Sequence, residues 1–116
     1  MLKLAIGNTI RFPVRIRLND AGKTRDFSFH LLGKRKPAEE LRALQADPDV
    51  LIDDLLVECI TGWEDQTLVL DDSGKPAPWS VDAFRTLLTI PGVSLQIMLD
   101  YYEANTAKGK EKNSAR

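Results

Sequence analysis

Residues 9–32, Thr-Ile-Arg-Phe-Pro-Val-Arg-Ile-Arg-Leu-Asn-Asp-Ala-Gly-Lys-Thr-Arg-Asp-Phe-Ser-Phe-His-Leu-Leu, decide the fold class. In the first half Ile10, Phe12, Val14, Ile16 and Leu18 alternate with Thr9, Arg11, Pro13, Arg15 and Arg17. A period of two marks a strand with one face buried. Asn19-Asp20-Ala21-Gly22-Lys23 is turn chemistry, and Phe27, Phe29 and Leu31 then alternate with Asp26, Ser28 and His30. The two runs read as an antiparallel hairpin. Pairing Ile16 with Phe27 and Val14 with Phe29 keeps both apolar sets on one side and sets Arg17 opposite Asp26. A one-residue slip would turn one set to water, so the register is well specified. Pro13 has no N–H to give a ladder, which places the first strand at an edge or a bulge.

Downstream the period changes. Gly33-Lys34-Arg35-Lys36-Pro37 reads as the break that ends the hairpin. Pro37, then Glu39 and Glu40, suit the first turn of a helix over about 37–46. Asp47-Pro48-Asp49 starts a second helix, about 48–60, in which Ile52, Leu55, Leu56, Cys59 and Ile60 recur at helical spacing, facing a core. Gly62 follows, where a left-handed C-terminal cap is expected. Thr67–Leu70 are the candidate for a short third strand. Asp71-Asp72-Ser73-Gly74 is a turn, and the prolines of Lys75-Pro76-Ala77-Pro78 exclude helix interior. Ser80 caps a helix over about 80–90 that buries Phe84, Leu87 and Leu88. Pro91-Gly92 separates it from a last helix, 93–105. The expected fold is therefore α+β: an N-terminal hairpin packed on three to four helices in a single domain, 1–105. Residues 106–116 hold no large apolar side chain and read as a disordered basic tail.

The last helix is apolar over a wide arc. Leu95, Met98, Leu99 and Tyr102 form one stripe, and Ile97, Tyr101 and Ala104 a second. One neighbouring helix covers only part of such an arc, and an uncovered remainder marks an interface with a partner or another copy. Trp63 and Trp79 flank the 71–78 turn, with two roles open: closing the core over the helix pair, or anchoring a partner.

The net charge of −1 conceals a division. Residues 1–46 carry ten Lys/Arg against four Asp/Glu, residues 47–105 two against twelve, and residues 106–116 four against one. Arg11, Arg15 and Arg17 line one strand face, which reads first as a solvated outer face, with a protein partner or phosphate as the alternatives. Phe27 and Phe29 point to the opposite face, so no aromatic is interleaved for base stacking.

The residues exclude several chemistries. One cysteine allows neither an internal disulfide nor a cysteine metal cage. One histidine and one cysteine assemble no persuasive nucleophile–base pair, so no catalytic residue and no cofactor is expected. Gly22-Lys23-Thr24 lacks the earlier glycine of a phosphate loop, with Arg17 at that position. A calcium loop built on Gly74 would begin at Val69 and end at Ser80, neither a carboxylate. No apolar run suits a signal peptide or a membrane span, so an intracellular protein is expected.

One resemblance adds to this reading. The order Ile60, Gly62-Trp63, Asp72-Ser73-Gly74, Pro78-Trp79-Ser80, Phe84, Leu87-Leu88, Pro91-Gly92, Tyr101-Tyr102-Glu103-Ala104 resembles the tail assembly chaperones of long-tailed bacteriophages. It covers roughly residues 9–105 and rests on the order of individually weak motifs. The resemblance implies a non-enzymatic protein of the host cytoplasm that holds the tape measure protein soluble, helps recruit tail tube subunits and is absent from the finished virion. The partner-binding residues expected are Leu95, Met98, Leu99, Tyr101, Tyr102, Trp63, Trp79, Arg15 and Arg17, with self-association as a further expectation. The alternatives are a basic-faced nucleic-acid-binding module and a structural tail or head–tail component.

Overall fold

A computed structural model describes residues 1–47 and 51–107. Strands β1 (Thr9–Asp20), β2 (Lys23–Lys34) and β3 (Ile60–Glu64) form an antiparallel sheet in the order β1-β2-β3. Among the described residues four helices accompany it: α1 (Ala38–Ala46), α2 (Ile52–Cys59), α3 (Val81–Leu88) and α4 (Val93–Asn105). The class is α+β with an N-terminal hairpin. No helix among the described residues is long and apolar enough to cross a membrane.

The hairpin has the expected register, with Ile16 opposite Phe27, Val14 opposite Phe29 and Arg17 opposite Asp26. Its turn is the two residues Ala21-Gly22, with φ of 54° and 87°, the left-handed pair that matches strand twist. The Asn19 side-chain oxygen accepts from Gly22 N at 2.8 Å. A two-residue turn closes on a hydrogen-bonded pair, Asp20–Lys23, so every second residue back along β1 points its amide at β2. Pro13, Arg15 and Arg17 fall in the other set, facing the open edge. Pro13 therefore costs no ladder bond at this edge strand.

One face of the sheet carries Ile10, Phe12, Val14, Ile16, Phe29 and Leu31 into a core closed by Leu55, Leu56, Phe84, Leu87, Ile97 and Tyr101. Helix α4 packs along β1, running opposite to it. Gln96 Nε2 donates to the Arg15 carbonyl near one end, and Tyr101 Oη donates to the Lys34 carbonyl at 2.7 Å near the other. Lys36 N donates to Asn105 Oδ1 at 3.0 Å. Ser80 caps α3 as expected, its Oγ accepting from Ala83 N at 3.0 Å, and Gly92, at φ 87°, opens α4.

Three expectations are corrected. Gly62 is no helix cap: α2 ends at Cys59, Ile60 is already extended, and Gly62 lies in β3 opposite Leu32. The third strand is thus Ile60–Glu64 and not Thr67–Leu70, where only Leu70 forms an isolated bridge, to Pro76. Gly33 does not end β2, which continues to Lys34 through an irregularity at Leu32/Gly33. A Cβ on Gly33 would sit 3.2 Å from the Cys59 carbonyl and 3.3 Å from the Tyr101 ring, so the missing side chain makes room for both. Of the expected second start at Asp47-Pro48-Asp49, residues 48–50 lie outside the described residues, as do residues 108–116 of the expected tail.

Candidate functional site

At about 100° per residue, α4 presents apolar side chains over roughly 240° of its circumference. The sheet, α2 and α3 take one side, burying Val93, Ile97, Met98 and Tyr101. Leu95, Leu99 and Tyr102 are left outside, 55%, 61% and 40% exposed. Their i, i+4, i+7 spacing sets them in one row along the helix. Asp100 and Glu103 are the charged residues of α4, which has no Lys or Arg. Met98 and Tyr101, expected at the partner surface, are instead core residues, because α4 is wedged between the sheet and two helices. Burial pushes the Tyr101 phenol up, with the neighbouring Cys59 adding to the effect.

Trp63 and Trp79 do meet. Their rings lie 5.3 Å apart at 88°, and Trp79 packs on Phe84 at 5.1 Å. Edge-to-face pairs of this kind contribute about 0.5–1.5 kcal/mol beyond their burial. Both indoles are half-buried and line an open cleft of about 490 Å³ with Gln66, Thr67, Pro76 and Ala77. Gln66 organises this loop and was not singled out in the sequence. It is buried; its Oε1 accepts from Leu68 N and Val69 N, and its Nε2 donates to the Val69 and Ala77 carbonyls. Trp63 Nε1 donates to the same Ala77 carbonyl at 3.2 Å. A glutamine between acids and a threonine gives no periodic signal; only the folded loop makes it central. The turn beyond has the expected chemistry. Asp71 Oδ1 accepts from Ser73 Oγ, Ser73 N and Lys75 N, which holds the carboxyl below the usual range.

Arg15 and Arg17 stand on the opposite face of the sheet from α4, so the nine expected partner residues do not converge. Both hold Asp26, at 3.1 and 2.8 Å, and the Arg17 and then the Arg15 hydrogen bonds keep that carboxyl below its ordinary range. Arg11 reaches across β2 to Glu64 at 2.7 Å. The arginine row is thus a paired, exposed polar face. His30 lies on this face opposite Pro13. Cys59 is buried. Among the described residues no group of three His, Cys, Asp or Glu side chains is placed to hold a metal ion.

No family model, no curated protein and no solved structure matches this chain.

Proposed function

We propose that this chain is a tail assembly chaperone of a long-tailed bacteriophage. It works without chemistry, in the host cytoplasm, holding the tape measure protein soluble and aiding tail tube assembly, and it does not stay in the virion. The observation that carries the proposal is the solvent-facing row Leu95, Leu99 and Tyr102 on α4. A long helical client presents apolar stripes of its own, and a helix face with i, i+4, i+7 anchors is a standard way to cover one. The order of motifs from Ile60 to Ala104 supports the same assignment. Trp63 and Trp79, half-exposed at their cleft, are the secondary contact in this reading.

The rival nucleic-acid reading needs the arginine face. Three of its arginines are engaged with Asp26 and Glu64, which leaves less charge for phosphate. The test is co-expression with the phage tape measure protein. The client should move from the insoluble to the soluble fraction and co-purify with this chain. A client that stays insoluble, or tight binding of the chain to DNA or RNA at ~150 mM salt, contradicts the proposal.

A further inference from the structure

The even-numbered apolar row of β1 does not begin at Ile10. Beyond Asn8, which interrupts it, Leu2, Leu4 and Ile6 resume it, alternating with Lys3, Ala5 and Gly7. These six residues carry a strand pattern that no other described residue covers: Leu2 is 100%, Leu4 77% and Ile6 55% exposed. The arm is fixed at its root. Arg35 N donates to the Asn8 carbonyl at 2.6 Å and Arg35 Nε to the Gly7 carbonyl at 3.0 Å. The molecule thus leaves two apolar rows bare, this arm and the outer row of α4, and a soluble protein rarely leaves either uncovered.

The two rows fit each other. Extended at about 3.3 Å per residue, Leu2 to Ile6 spans roughly 13 Å. Leu95 to Tyr102, at about 1.5 Å per residue, spans roughly 10 Å. Each offers three large side chains. Lys3 is the only charged side chain among residues 1–8, and α4 itself carries Asp100 and Glu103 and no basic residue, with Lys36 and Arg42 lying beside the Tyr102 end of its row. Reaching its own α4 would force the arm to reverse. Helix α4 runs back along β1 from its C-terminal end near Lys34 and Lys36, and the arm leaves β1 beyond that end, with its root held by Arg35. In a second copy no reversal is needed.

We infer that the arm of one copy docks across Leu95, Leu99 and Tyr102 of a second copy. Done reciprocally, this gives a closed two-fold dimer in which each copy donates one arm and accepts one. The inference rests on the functional proposal only in treating the α4 row as an interface; it requires no tape measure protein. It also gives that row an occupant before a client arrives.

Sedimentation of the full chain from roughly 5 to 200 µM, alongside two variants, tests the exchange. One variant lacks residues 2–6; the other is Leu99→Glu, with Leu95→Glu as its second form. Circular dichroism melts of each variant check that it remains folded. The full chain should dimerise, more weakly as salt rises, and each variant alone should be monomeric. Mixing the armless chain with Leu99→Glu should restore a heterodimer, because one copy keeps the arm and the other keeps the row. A monomeric full chain, an armless chain that dimerises like the parent, or a mixture that does not associate overturns the inference. Solubilisation of a client by the armless chain would leave the functional proposal standing while exchange is lost. A dimer that solubilises no client would do the reverse.

Discussion

Tyr101 and Tyr102 are neighbours on one helix, and they meet different environments. The inner face of α4 sets Tyr101 against Phe12, ring centroids 6.1 Å apart, with no exposed surface and its hydroxyl on the Lys34 carbonyl. The outer face sets Tyr102 beside Leu95 and Leu99, 40% exposed. Both faces are apolar, and composition does not separate them. What separates them is cover: the sheet, α2 and α3 bury one side, whereas on the other Tyr102 shares a small cavity with Leu41 and Arg42 of α1, and Leu95 and Leu99 stay more than half exposed. The lesson is that an apolar helical arc states how much cover a helix needs. Only the neighbours state how much it receives.

The largest effect that sharpens this contrast is on the inner face. Tyr101→Ala removes a fully buried ring and orphans the Lys34 carbonyl, and should cost about 3–5 kcal/mol, read as the drop in urea-unfolding free energy. The matching outer change, Leu95→Ser, should stay within about 0.5 kcal/mol of the parent. Equal losses at the two sites would erase the distinction between the faces.

A smaller effect is one of pH. Burial favours the neutral Tyr101 phenol, so its folded value lies above the ordinary one near ~10. The stabilisation is fully present below that ordinary value and is lost as pH rises through the folded value. Tyr101→Phe cannot ionise. It should be less stable at neutral pH by about 1 kcal/mol, for the lost hydrogen bond, yet decline less than the parent above about pH 10. Parallel alkaline declines in the two proteins would mean that the phenol is not held neutral.

The register of the hairpin, though not the end of its second strand, is legible in the sequence because its signal is local and over-determined. Period two, a Gly-containing turn and the Arg17–Asp26 pair all fix one register. The region 60–78 was legible only in part. Its turn and the Ser80 cap are local chemistry, but β3 is five residues long and abuts a helix without a break, so Ile60 read as helical and Gly62 as its cap. Thr67–Leu70 read as a strand from its β-branched and apolar residues, whereas the partners of that backbone are the Gln66 side chain and Ala77. On α4 the periodicity grouped Met98 with Leu95, Leu99 and Tyr102. Met98 lies at the border of that stripe nearest Tyr101, and the packing of α2 and α3 draws it inside.

The central claim is that the outer row of α4 exists to be covered by a protein partner. Its most direct test is co-expression of Leu99→Glu with the tape measure protein, with the melting midpoint of the purified variant measured beside it. The account predicts a variant that still folds and melts cooperatively, because Leu99 is 61% exposed, together with loss of the client from the soluble fraction. A folded Leu99→Glu chain that keeps the client as soluble as the parent does would contradict it.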